Sequence, residues 1–123
     1  MTYCDLMSVT NSNLVQLDRE AHVRSGLPFL PVGEAAHVYR APARTITSIL
    51  EEAGLRHIDL LSLDVEGFEV AALRGLDRDR ITIDYMCIEC WNFAEIRDML
   101  ADDYEVVTKL SVHDYLFKRR RAG

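Results

Sequence analysis

The sequence has no apolar run long enough to cross a bilayer as a helix. Its opening residues, MTYCDLMSVTNSN, lack the basic stretch followed by an apolar one that marks a signal peptide. A cytoplasmic protein with no membrane partner is therefore expected. Basic residues are not in excess either. Fourteen Lys and Arg stand against 20 Asp and Glu, a net charge of −6. A nucleic-acid-binding face needs the opposite balance, so no nucleic-acid partner is expected. The one basic run, Lys118 to Arg121, reads as a solvated tail.

Cysteine is scarce as well. Cys4, Cys87 and Cys90 make an odd, small set, which fits a reducing compartment. Cys87 and Cys90 have C-x-x-C spacing, but no second pair completes a four-ligand zinc site. Their segment reads as a strand, on which residues three apart face opposite ways. Buried, small apolar side chains are the preferred reading. The glycine-rich G-x-G-x-x-G turn of nucleotide-type cofactor pockets is also missing. Glycine stands at 26, 33, 54, 67, 75 and 123, and no two are separated by a single residue. There is no internal repeat and no low-complexity tract. What is present is a globular balance, 49% apolar and 28% charged, in 123 residues. That length suits one compact domain and is too short for two ordinary ones.

Two parts are expected along the chain. Residues 1–36 read as an irregular N-terminal segment, punctuated by Gly26, Pro28, Pro31 and Gly33, with one short helix over Asn13–Val23. From residue 37 the pattern sharpens. His37–Arg40 suggests a short strand, stopped by Pro42. Thr47–Ala53 suggests a helix, with Ser48 and Glu51 at capping-box spacing and Gly54 as its stop. Ile58–Asp64 is nearly all apolar, the mark of a strand buried on both faces of a parallel sheet. A short helix over Phe68–Arg74 and a second β-rich run over Ile81–Cys90 follow. Asn92 and Glu95 open a helix whose Ile96, Met99 and Leu100 form one stripe. Tyr104–Leu110 and Asp114–Arg119 read as antiparallel neighbours, because Ser111–His113 is too short for a helical crossover. The alternation predicts an α/β fold, with a mixed, mostly parallel sheet ending in an antiparallel hairpin and helices on its faces.

In such a sheet, ligands bind beyond the carboxyl ends of the strands. Asp64 and Glu66 sit at one such end. If extension persists through Val65, both carboxylates face one site. Paired carboxylates there can hold a hydroxyl, accept its proton or bind a cation. They can equally cap the helix that follows. Gly67 permits a tight turn and close approach of a ligand. Glu69, in the first turn of the helix, reads as a surface residue that complements the helix dipole. Trp91, Asn92 and Phe93 follow the second parallel strand at the same sheet end. Trp91 could line a pocket or stack on a ring, while Phe93 reads as core.

The string Ile58 to Glu69, IDLLSLDVEGFE, with Leu73-Arg74-Gly75 closing the next helix, resembles the hallmark of the FkbM family of class I methyltransferases. The similarity extends upstream to Ala43–Leu50 and downstream through Ile88-Glu89, covering about residues 40 to 119. The resemblance implies a partial Rossmann-like methyltransferase fold, with residues 37–123 as its C-terminal half. It implies S-adenosylmethionine as methyl donor and a small molecule or sugar as acceptor. It puts Asp64, Glu66 and Glu89 at the rim of the acceptor site, where Asp64 and Glu66 are expected to be catalytic and Gly67, Glu89, Trp91 and Asn92 to bind the substrate. Cofactor-binding residues cannot be assigned, because the glycine turn and the acidic residue of the donor half are missing. The expectation is a truncated domain without its methyl-donor pocket, or one completed by another chain or a second copy. A non-catalytic binding or assembly module of the same fold is the alternative. So is a small metal-dependent hydrolase using Asp64 and Glu66 with a histidine such as His113, although the spacing itself points to no metal site.

Overall fold

The computed structural model describes residues 2–3, 19–38 and 40–120. Cys4 and the first part of the expected helix over Asn13–Val23 lie outside them. Two compact units are present, residues 1–43 with 65–68 and residues 44–64 with 69–123.

In the first unit, strand β1 (Thr2–Tyr3) pairs antiparallel with β2 (His37–Val38). Helix α1 spans Arg19–Gly26, so its end lies three residues beyond the expected Val23. A single 3-10 turn, Leu27–Phe29, follows, with Pro28 near its start where a missing N–H costs nothing. Gly33, at φ +92°, allows the turn in which the Glu34 amide donates to the Pro31 carbonyl at 3.0 Å.

The second unit alternates as the sequence predicts. It contains α2 (Ile46–Glu52), β3 (His57–Leu63), α3 (Glu69–Arg74), β4 (Thr82–Glu89), α4 (Phe93–Leu100), β5 (Tyr104–Lys109) and β6 (Asp114–Arg119). The sheet order is β3-β4-β6-β5. β3 and β4 are parallel; β6 inserts between β4 and β5, antiparallel to both. The expected mixed sheet with a closing antiparallel pair is therefore present.

Local chemistry sets the ends of these elements. α2 is capped by Thr45, whose side chain accepts from the Ser48 amide at 3.1 Å, and not by the expected Ser48. The capping pair begins three residues earlier than the Ser48–Glu51 spacing suggests. Gly54, at φ +71°, ends the helix as expected. The Leu55 amide donates to Leu50 at 2.8 Å and the Gly54 amide to Glu51 at 3.0 Å, the paired bonds of a Schellman ending. In α4, Asn92 accepts from the Glu95 amide, and its own amide donates to the Glu95 carboxylate at 3.0 Å. This is the expected cap.

The core lies mainly on one face of the sheet, although Ile83 is buried on the other. Met86 pairs with Phe117 across β4 and β6 and has Leu61 beside it on β3. Met86 and Phe117 are buried, as are Leu63, Ile88 and, on α4, Ile96 and Leu100. The opposite face carries the row Leu60, Tyr85 and Lys118, with Leu60 56% exposed. β3 therefore departs from the expected strand buried on both faces. Among the described residues it is the outer strand, with β4 as its one neighbour, and most of its residues are exposed or half-buried. An apolar run records the hydrophobicity of a strand; its number of neighbours is set by the topology.

Candidate functional site

The parallel register pairs Leu63 with Ile88. The next residues, Asp64 and Glu89, thus come side by side at the carboxyl ends of β3 and β4. Their carboxylate oxygens lie within 4.8 Å of each other. Asp64 is exposed and Glu89 half-buried. Two carboxylates this close can engage one hydroxyl or one cation together. The crevice beyond parallel strand ends is also where α/β sheets bind ligands.

Glu66 and Gly67 form the turn that follows. The Phe68 amide donates to the Val65 carbonyl at 3.3 Å, and both central residues have positive φ, +52° at Glu66 and +85° at Gly67. Asp64 and Glu66 are expected to face one site if the chain stays extended through Val65. That condition fails, since β3 ends at Leu63 and Glu66 is left-handed. A turn of this type suits Gly, Asn or Asp. A left-handed Glu costs on the order of 1–2 kcal/mol. Among the described residues no other non-glycine residue has positive φ. Strain of this kind concentrates at functional sites. Gly67 supplies the second left-handed position at no such cost.

Glu89 is also tied to Trp91, whose indole Nε1 donates to Oε2 at 2.9 Å. The Trp91 ring, 47% exposed, stacks on His113 with centroids 4.9 Å apart and planes 16° from parallel. His113 is placed by backbone: the Cys90 amide donates to its carbonyl at 2.7 Å. The β5–β6 connection is pinned in turn by Ser111, which donates to the Asp114 carboxylate and accepts from the Asp114 amide at 3.2 Å. The ledge beside the Asp64–Glu89 pair is thus an exposed indole backed by an imidazole. Sequence reasoning did not connect His113 with Trp91. They are 22 positions apart, and only insertion of β6 beside β4 brings them together. Asn92 is engaged in capping α4, and Phe93 stacks on Tyr115 at 4.1 Å as part of the core side.

Two neighbours are chemically quiet. Burial, and then the charges of Glu69, Asp114, Cys87 and Glu89, push the Cys90 thiol up to about 12. Burial and Asp114 also raise Cys87. Neither thiol is a ready thiolate, which agrees with the structural reading of the C-x-x-C. Glu69, expected on the surface, is only 2% exposed and lies close enough to Cys90 to raise its pKa. Helix α3 turns its first residue inward, against the end of β4.

No helix among the described residues is long and apolar enough to cross a membrane. Neither a search of curated proteins nor one of solved structures found a match. A family model, the methyltransferase FkbM domain, matches residues 5–117. The match covers most of the chain and begins far upstream of the residues that carry the sequence hallmark. The chain therefore belongs to the FkbM methyltransferase domain family.

Proposed function

We propose that Asp64, Glu66 and Glu89 form the acceptor side of a methyl-transfer site, receiving a hydroxyl of a small molecule or sugar. The observation that carries this reading is the meeting of the Asp64 and Glu89 carboxylates at the ends of two adjacent parallel strands. The strained backbone at Glu66, two residues after Asp64, supports it. These carboxylates would accept the hydroxyl's hydrogen bond, orient its oxygen and could hold its proton. Methyl transfer is a displacement, so positioning contributes more than acid–base strength. Exposed Trp91, held by Glu89 and His113, offers a flat apolar surface for the rest of the acceptor.

The family implies S-adenosylmethionine as donor. The described residues do not fit its adenosine and amino-acid parts. The turns after β3 and β4 present Glu66-Gly67 and Trp91-Asn92, with no series of glycine-opened amides.

The test is transfer of a labelled methyl group from S-adenosylmethionine to hydroxyl-bearing small molecules by the full chain. Asp64→Asn and Glu66→Gln are expected to lower the rate by roughly 10²–10⁴-fold with an unchanged melting temperature. Variants that melt earlier yet keep transferring make these carboxylates caps of α3. A chain that neither binds the donor in calorimetry nor transfers the label is a non-catalytic module of the family.

A further inference from the structure

A second group of ligand-type side chains lies at the opposite, amino ends of the same strands. His57 and Asp59, two apart on β3, share a face. The register sets Ile58 beside Ile83 and Leu60 beside Tyr85, so Asp59 lies beside Asp84 of β4. One ligand atom from each of His57, Asp59 and Asp84 falls within 4.8 Å of the others. The His57 Nε2 atom is 3.1 Å from Asp84 Oδ2.

We propose that His57, Asp59 and Asp84 bind one divalent transition-metal ion, at a site separate from the acceptor end of the sheet. Two like charges directly adjacent on neighbouring strands are destabilising. His57 answers Asp84, but the Asp59 carboxylate has no hydrogen bond or ion pair among the described residues. A dication removes that repulsion and engages both carboxylates at once. One imidazole nitrogen with two carboxylate oxygens is a donor set for zinc, cobalt or nickel. Calcium and magnesium prefer oxygen alone. Three protein ligands leave the remaining positions to water. Entry is open, because the His57 and Asp84 side chains are about half exposed, at 55% and 45%. All three ligands stand on hydrogen-bonded strands, which fix their spacing better than a loop does. The competing arrangement, a His57–Asp84 ion pair beside a solvated Asp59, has no saturable affinity for metal.

The experiment is calorimetric titration of the full chain with zinc chloride near pH 7.5. One ion per chain is expected. Asp59→Asn and His57→Gln should each weaken binding roughly tenfold or more, while Glu105→Gln, on β5, leaves it unchanged. A reading independent of variants uses cobalt(II) and the imidazole proton resonances of the unaltered chain. His57, alone among the four histidines, should shift and broaden. Absence of saturable heat, binding that survives both substitutions, or broadening confined to other histidines overturns the site.

Discussion

At the scale of single residues, Thr47 shows how one buried hydroxyl joins two elements. Its Oγ1 donates to the Gly75 carbonyl at 3.0 Å and accepts from the Asp77 amide at 2.7 Å. The Thr47 amide donates to the same carbonyl at 3.2 Å. Thr47→Val keeps the shape but strands the Asp77 amide and leaves the Gly75 carbonyl with the residue-47 amide alone, so a loss of about 1–3 kcal/mol is expected in urea unfolding. Thr47→Ser, which restores the hydroxyl, should recover most of it. Gly75 permits this contact, because a Cβ there would sit 3.2 Å from both the Ala72 carbonyl oxygen and the Thr45 Cβ. Cys90 gives a pH prediction. Its folded-state pKa is raised to about 12 by burial first and neighbouring anions second. Below about pH 8.5 both the folded and unfolded thiols are protonated, and the group's contribution is fully present. Above that the unfolded chain releases the proton first, so stability falls as pH rises toward 12. Alkylation of Cys90, followed by peptide mass mapping, should be much slower in the folded chain than in urea at pH 8.

At the scale of elements, the ends of the helices were written in the sequence and their exposure was not. Asn92, Glu95 and Gly54 act as their spacing predicts, because capping is a local bond between near neighbours. Gly54→Ala forces a left-handed alanine at φ +71° and should cost about 1 kcal/mol, measurable by thermal melting. The cap of α2 shifted to Thr45 because Thr and Ser serve equally and two candidates lay close together. Glu69 defeated a local reading for a different reason. Proximity to a helix start favours a carboxylate there whichever way it points, and the packing of α3 turned it inward. β3 likewise looked central by composition and lies at the edge of the sheet among the described residues.

At the scale of the whole molecule, the second unit depends on the row Leu61–Met86–Phe117 across three strands. Phe117 is 1% exposed and comes from the last strand, so the core closes only when β6 inserts between β4 and β5. Phe117→Ala should therefore destabilise the fold by about 3–5 kcal/mol and lower the melting temperature in one transition. The same insertion carries His113 to Trp91 and completes the ledge beside the acceptor carboxylates. By itself the sequence determined the class of fold, the order of elements in the second unit and the strand end at which Asp64 stands. Periodicity, turn residues and the IDLLSLDVEGFE string are local signals, read without knowing which strands touch. The tertiary structure alone decided that Glu89 lies beside Asp64, that Glu66 takes a left-handed turn, and that His57, Asp59 and Asp84 converge. Register between strands is a non-local choice, made by the packing of one whole sheet face, and no spacing along the chain records it.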